Sequence, residues 1–199
     1  MNKIWLIECA LALMITAAWG SDPQDIPAVV KTCALCHTAS GTTPTSAYPN
    51  LAGQRTGYII NELVAFKEMK RNDPDAIRFM RPIASQLSDQ EMQEVAEYFK
   101  NQPSQPGTPE KPEFVAAGKE IYYRGIPSKA VPACSTCHGL DGNGQKAIPR
   151  LAAQHAGYAV RQLKWFRSGQ RAEAPTMPGV TKQMSDDEIE AVANFIESL

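Results

Sequence analysis

Two short cysteine–histidine motifs account for most of the chemistry that this sequence can perform. In each motif two cysteines are separated by two residues and a histidine follows directly, at Cys33, Cys36 and His37 and again at Cys134, Cys137 and His138. A Cys-x-x-Cys pair alone would also suit a disulfide, a redox dithiol or a zinc site. The following histidine favours another chemistry, because Cys-x-x-Cys-His is the attachment signature of c-type haem.

The spacing of these residues suits covalent attachment of a porphyrin. Thiols at positions i and i+3 of a helical turn project from one face, so each can add to one vinyl group on the same porphyrin edge. The adjacent histidine can then reach the iron. The sequence therefore predicts two haem c groups, bound through the four motif cysteines, with His37 and His138 as axial iron ligands.

The second axial ligand of each iron is predicted to be methionine. The chain has three histidines, and two of them belong to the haem motifs, so two bis-histidine haems are impossible. Methionine is the natural alternative, a soft thioether that raises the haem potential. Met80 and Met177 lie in proline-flanked stretches at equivalent positions, each seven residues before the next matched block. We predict extended loops that bring these two sulfur atoms to the irons, whereas Met92 fits a helix core.

The motifs belong to an internal duplication of the chain. Residues 48–54 recur as 148–154, residues 57–58 as 157–158, and residues 87–91 as 184–188. The order of these blocks is the same in both halves, and two copies are too few for a solenoid. Four prolines within residues 102–112 favour a semi-stiff linker between the copies. The predicted domains are therefore residues 21–101 and 113–199.

The periodicity of each copy predicts helices and no convincing strand, so the predicted fold class is all-α. Ser88 with Glu91, and Ser185 with Glu188, form capping-box patterns before apolar residues at helical spacing. Copies of this size are small for an independent core, and a haem supplies a large apolar surface for helices to pack against. Further helices are expected at residues 57–70, 114–123 and 157–168.

The N-terminal sequence indicates where the protein is located, and its net charge restricts the class of partner that it can bind. Residues 1–20 combine Lys3, a short apolar run and small residues at positions 18 and 20, which is typical of a cleaved secretory signal. An uncleaved anchor is the alternative. The formal net charge is −1, which gives no support for a nucleic-acid partner. The sequence thus predicts an exported chain.

With these motifs in place, the chain resembles the cytochrome c4 family of two-haem, two-domain cytochromes c over essentially its whole mature length. The most specific segments are residues 118–126, 131–139, 141–144, 149–151 and 154–155, with 33–37, 48–54 and 87–89 in the first half. Residues 38–41 depart from the family, which more often has a glycine-rich turn there. The resemblance implies two tandem class I cytochrome c domains packed about a pseudo-twofold axis. It also implies a periplasmic electron shuttle of a respiratory chain, sometimes loosely membrane-associated. Such a shuttle takes electrons from a quinol-oxidising complex or a dehydrogenase and passes them to a terminal oxidase.

The resemblance and the repeat also mark residues around the haems. In the family, the carbonyl of the proline after the haem motif holds the ligating histidine, and Pro49 and Pro149 match that proline. Four further residues at equivalent positions are candidates for binding haem propionates: Gln54, Gln154, Arg71 and Arg171. Turn prolines and solvated helix ends are the simpler interpretations. His155 aligns with Arg55 and is expected to stay off the iron and to contact a propionate or the domain interface; an exposed histidine without a role is the alternative.

Three functions are compatible with this set of residues, and an electron carrier is the leading one. A redox enzyme needs an open iron site or a distal acid–base residue, and both irons have a candidate methionine ligand here. A fixed electron relay within a dehydrogenase or oxidase complex would use the same chemistry as a carrier.

Overall fold

The computed structural model describes residues 26–199 and confirms the all-α class. The predicted signal segment, residues 1–20, lies outside the described residues. The α-helices of the described range are α1 (Ala28–His37), α2 (Thr56–Lys67), α3 (Arg81–Ala84), α4 (Asp89–Lys100), α5 (Val115–Arg124), α6 (Ser135–His138), α7 (Ala156–Ser168), α8 (Met177–Thr181) and α9 (Asp186–Ser198). Two isolated bridges, Ile126 with Val131 and Gln145 with Ile148, are the β-pairing found there. Between residues 26 and 199, no helix has both the length and the apolar character needed to cross a bilayer.

Short turns and an irregular segment connect these helices. A π-helical turn, Ala76–Met80, leads into α3, and 3-10 turns at Pro112–Phe114 and Pro127–Lys129 flank α5. The proline-rich segment between the halves lies along α9, because Gly107 N–H donates to Glu197 O at 2.8 Å. Lys111 N–H likewise donates to Asn194 Oδ1 at 2.9 Å.

Both predicted capping boxes are present. At the start of α4, Ser88 Oγ accepts the Glu91 N–H at 3.3 Å and the Glu91 carboxylate accepts the Ser88 N–H at 2.8 Å. At the start of α9, Ser185 and Glu188 form the same pair of bonds at 3.2 and 2.7 Å. These bonds satisfy N–H groups that have no partner within the helix, so both helices begin where the sequence predicts.

Each half has its own apolar core. In the first half, α1, α2 and α4 enclose a cluster that includes Val30, Leu63, Phe66, Met92 and Phe99. In the second half, α5, α7 and α9 enclose a cluster that includes Ile121, Tyr122, Ile189, Val192 and Phe195. The helices α5 and α9 cross in close contact at Gly118, where a Cβ atom would lie 2.0 Å from Ala191 O.

Contacts between the two halves occur in equivalent pairs, which indicates that the halves pack about a pseudo-twofold axis. Arg55 Nε donates to Asn143 O at 2.6 Å, and His155 Nε2, at the matched position, donates to Thr43 O at 2.9 Å. The first turns of α2 and α7 each approach a loop of the opposite half at a glycine. A Cβ atom at Gly57 would lie 3.2 Å from Lys146 O, and one at Gly157 would lie 2.8 Å from Ser46 Oγ.

The segment around Met80 is helical, which corrects the prediction of an extended loop there, whereas Met177 follows an irregular stretch, residues 172–176, and begins a helix. Met80 is the last residue of the π-helical turn, and Met177 is the first residue of α8. Four prolines suggested the loops. Pro82 and Pro178 occupy the second positions of α3 and α8, Pro74 lies in the helical turn before Ala76–Met80, and Pro175 lies in the irregular stretch before α8. A proline is tolerated in the first turn of a helix, because the N–H that it lacks would have no partner there.

Candidate functional site

The four motif cysteines lie on helical segments, and none of the four forms a disulfide. Cys33 and Cys36 occupy the last turns of α1, whereas Cys134 caps α6 and Cys137 lies within it. Burial raises the pKa of the Cys33 thiol and raises the pKa of Cys134 to about 11. These two sulfur atoms therefore lie in apolar surroundings. Each motif also places both of its sulfur atoms on one helical segment, which is the arrangement that covalent haem attachment needs.

Both motif histidines are buried and held by a proline carbonyl. His37 Nδ1 lies 3.0 Å from Pro49 O, and His138 Nδ1 lies 3.0 Å from Pro149 O. Because a carbonyl oxygen can only accept, Nδ1 must carry the hydrogen, and Nε2 of the neutral ring keeps its lone pair. Burial lowers the pKa of both imidazoles, although the carbonyl bond acts in the opposite direction. A neutral ring of fixed tautomer with a free Nε2 is the form that ligates iron, so these residues fit a haem.

Met80 and Met177 each pack against elements of their own half. Met80 is half-buried and packs against the first core cluster, as does Cys33. Met177 is also half-buried, and the helix that it begins packs on α7. Thioether sulfur at these positions is suited to a haem iron by its softness.

Gln54 and Gln154 are buried between the halves rather than extended toward solvent. Gln154 Oε1 accepts the Asn50 N–H at 2.9 Å, and its Nε2 donates to Asn50 O at 3.0 Å. Gln54 makes the same two bonds with Arg150, at 2.7 and 2.9 Å. The sequence marked these residues as candidates for propionate binding. The structure instead places each amide on the backbone of the opposite half.

Arg71 and Arg171 belong to a buried cluster at the same interface, and each is 3% exposed. All three nitrogens of both guanidinium groups have protein partners, which are Glu62, Asp73 and Gln162 for Arg71 and Tyr58, Glu62, Gln162 and Glu173 for Arg171. Neither arginine is therefore a solvated helix end, and this arrangement gives no support to a propionate role. The carboxylates that bind them were not predicted, because only three-dimensional packing brings position 62 of one half next to position 171 of the other.

His155 lies at the interface between the halves, which is one of the two locations expected for it. Its Nε2 is 2.9 Å from Thr43 O, and its Nδ1 is 3.2 Å from Glu197 Oε1. Each ring nitrogen thus faces an oxygen atom, one from each half. The alternative of an exposed histidine without contacts does not apply.

Tyr48 is a neighbour of the first motif that the sequence analysis missed. Its ring meets His37 edge-on, with the centroids 6.1 Å apart, and also meets Phe79 at 6.2 Å. A signal was present, because Tyr48 opens the repeated block 48–54, whereas the second copy has Ile148. The aromatic contact is therefore specific to the first half.

Comparison with known proteins agrees with this arrangement. The family model described as cytochrome c matches residues 23–103 and 115–199, one match for each half. A curated cytochrome c4 from Thiocapsa roseopersicina is 38% identical over 184 residues, covering 89% of this chain and 93% of its own length. A thiosulfate dehydrogenase electron acceptor from Thiomonas intermedia is 32% identical over 193 residues, covering 94% of this chain and 85% of its own length.

A solved structure shares both the fold and the two-domain arrangement. The cytochrome c4 of Acidithiobacillus ferrooxidans superposes with a TM-score of 0.80 at 33% identity, covering 85% of this chain and 99% of that one. Family membership implies covalently bound haem c, and two matched domains are consistent with two haems. The chain therefore belongs to the cytochrome c4 family of dihaem electron carriers.

Proposed function

We propose that this chain is a periplasmic dihaem cytochrome that shuttles electrons in a respiratory chain. The observation that supports this most strongly is the pair of buried histidines, His37 and His138, each beside a cysteine pair and each fixed by a proline carbonyl. Haem, when bound, supplies reversible one-electron chemistry at its iron. The chain supplies the attachment, the axial ligands and the buried environment.

The proposed ligand set divides equally between the halves. Cys33 and Cys36 bind the first haem covalently, with His37 and Met80 as its axial ligands. In the second half, the corresponding residues are Cys134, Cys137, His138 and Met177. Two strong axial ligands leave no open position on either iron, and this is the reason for proposing a carrier rather than an enzyme. The cytochrome c4 relatives support the same conclusion.

Location and partners follow from the N-terminal sequence and the family. The signal pattern of residues 1–20 supports export to the periplasm. We propose a terminal oxidase as the electron acceptor and a quinol-oxidising complex or a dehydrogenase as the donor. Peripheral association with the membrane is compatible with this role, and no nucleic acid is involved.

A dehydrogenase-linked relay is the second candidate. It is favoured by the likeness to a protein named as the electron acceptor of thiosulfate dehydrogenase, which extends over 94% of this chain. In this role the chain would receive electrons from thiosulfate oxidation through the same two haems.

Stopped-flow measurements on the holo-protein separate these roles. The oxidised protein is mixed with a thiosulfate dehydrogenase and thiosulfate, and the reduced protein is mixed with membranes that contain a terminal oxidase. Fast oxidation by the membranes, with slow reduction by the dehydrogenase, is expected for the respiratory shuttle. The reverse pattern would establish the second candidate, and slow exchange with both would contradict a carrier role with these partners.

A further inference from the structure

A single peptide group connects the first haem motif to the second half of the chain. In the peptide between Pro49 and Asn50, the carbonyl oxygen of Pro49 lies 3.0 Å from His37 Nδ1. The N–H of the same peptide, which belongs to Asn50, donates to Gln154 Oε1 at 2.9 Å. The His37 ring and the Gln154 amide are therefore the two ends of one hydrogen-bonded chain.

The second half repeats this chain in the opposite direction. The peptide between Pro149 and Arg150 accepts from His138 Nδ1 at 3.0 Å and donates to Gln54 Oε1 at 2.7 Å. Gln54 and Gln154 hold equivalent positions in the repeat. The glutamine of each half thus lies behind the histidine of the other half.

The orientation of each glutamine amide is fixed by further bonds. Gln154 Nε2 donates to Asn50 O at 3.0 Å, and Gln54 Nε2 donates to Arg150 O at 2.9 Å. Rotating either amide by half a turn would place its NH₂ group against an N–H and its oxygen against a carbonyl. Both side chains are buried, at 5% and 9% exposure, so water does not compete freely for these bonds.

The chain has an electronic consequence for the histidine. Hydrogen bonds in series polarise one another, and a peptide whose N–H is bonded has a more basic carbonyl oxygen. A stronger acceptor at Nδ1–H makes the imidazole a better donor to the metal. A better donor stabilises ferric over ferrous iron, so an intact chain lowers the reduction potential.

We propose that Gln54 and Gln154 are positioning residues that act crosswise, each tuning the axial histidine of the opposite half. Gln154 sets the donor strength of His37, and Gln54 sets that of His138. The two haem sites are therefore coupled through the domain interface by two antiparallel hydrogen-bond chains. This inference rests on the proposed ligation of the irons by His37 and His138.

The test uses the full-length holo-protein with Gln154→Leu and Gln54→Leu. Both haem potentials are measured by spectroelectrochemical titration, and each is assigned to its haem by the hyperfine-shifted proton signals of the axial histidines in the ferric protein. Gln154→Leu should shift the reduction equilibrium of the first haem toward the ferrous form by about threefold or more, since outer partners of ligating histidines have effects of at least this order. Gln54→Leu should do the same to the second haem, and the haem of the substituted half should change less.

Asn50→Ala is the matched control for a loosened interface. It removes the bond from Asn50 Nδ2 to Ala153 O, which joins the halves at 2.8 Å, and the bond from Thr43 N–H to Asn50 Oδ1 within the first half. The Asn50 N–H and its bond to Gln154 stay in place. The first haem should keep its potential in this variant. A shift as large as that of Gln154→Leu would overturn the inference, because general loosening would then explain both.

Two further outcomes would also overturn it: both haems shifting equally in each glutamine variant, or each variant shifting the haem of its own half. If a glutamine variant does not yield holo-protein, amide exchange in the unchanged protein decides. Slow exchange at Asn50 and Arg150 supports the buried bonds, and fast exchange contradicts them.

The weak band at the red edge of the ferric spectrum reports sulfur–iron bonds. This band distinguishes a failure of the proposed ligand set from a failure of the crossed tuning. Its absence from the unchanged protein contradicts the ligand set, whereas its retention in the variants without a crossed shift contradicts only the crossed tuning.

Discussion

Glu62 of the first half pairs with Arg171 of the second, with 2.7 Å between Glu62 Oε1 and Arg171 Nη2. The other oxygen of the same carboxylate accepts from Arg71. One carboxylate thus joins two buried guanidinium groups. The equivalent residue in the second half is Gln162, which is neutral and accepts from both arginines, so the cluster is symmetric in position but not in charge.

Replacing Glu62 with Gln should destabilise the holo-protein. Arg71 and Arg171 would each keep one carboxylate, Asp73 and Glu173. The variant would lose the buried charge-assisted hydrogen bonds through which Glu62 joins the two guanidinium groups, which lowers the free energy of unfolding by about 2 kcal/mol. Denaturant titration measures this change. The matched control is Glu68→Gln, which removes the exposed partner of Lys70 and should change stability by less than about 1 kcal/mol. Equal losses in the two variants would contradict a stabilising buried cluster.

Replacing Gly118 with Ala should weaken the contact between α5 and α9. The added Cβ atom would lie 2.0 Å from Ala191 O and 2.8 Å from Phe195 Cβ, so the helices must move apart. Overpacking of this kind lowers the free energy of unfolding by about 2 kcal/mol or more. Lys119→Ala, one residue further along α5 and exposed, should change it by less than about 0.5 kcal/mol. Thermal unfolding of both variants checks the prediction, and an unaffected Gly118→Ala would show that the helices do not approach so closely.

The residue after each motif histidine adopts the same backbone conformation in both halves, although only one of them is glycine. Thr38 has φ 58° and Gly139 has φ 86°. A positive φ is unfavourable for a β-branched residue, and Thr38 is held there partly by the bond from its Oγ1 to Thr42 O at 3.0 Å. This explains how residues 38–41 depart from a glycine-rich sequence while keeping the turn.

Gly139→Thr should therefore lower the free energy of unfolding by about 1–3 kcal/mol, the range for a strained backbone position. Thr38→Gly should be neutral or stabilising by up to about 1 kcal/mol, because the relief of strain offsets the lost hydroxyl bond and the greater freedom of the unfolded chain. Chemical denaturation of the two variants gives the comparison. If Thr38→Gly were the more harmful substitution, the strain argument would fail.

The methionine ligands can be tested one haem at a time. Met80→Ala should abolish the sulfur–iron band of one haem and lower its potential, because the loss of a thioether removes the ligand that favours ferrous iron. Met177→Ala should do this for the other haem. Met92→Leu, which alters the buried core of the first half, should leave both bands intact. Loss of a band in Met92→Leu, or its survival in Met80→Ala, would show that the ligand has been misassigned.

Residues that act within a single turn of chain were predictable, whereas residues whose partners lie in the other half were not. The capping serines, Ser88 and Ser185, bind N–H groups three residues away, so their roles follow from local spacing. Pro82 and Pro178 were misleading, because a proline suits both a loop and the first turn of a helix. Gln54 and Gln154 were recognised as important positions through the repeat. Their partners became visible only in the packed structure, because a sequence repeat identifies equivalent positions but does not show which residues are in contact.

We expect the chain to bind two haems covalently through its two cysteine–histidine motifs. Intact mass spectrometry of the protein, expressed with c-type haem maturation and then unfolded and treated with an alkylating reagent, tests this directly. The expected product is a mature chain that carries two haems and no alkylated cysteine, because all four motif thiols have become thioethers. A chain with one haem or none, or one that gains alkyl groups at Cys33, Cys36, Cys134 or Cys137, would contradict it.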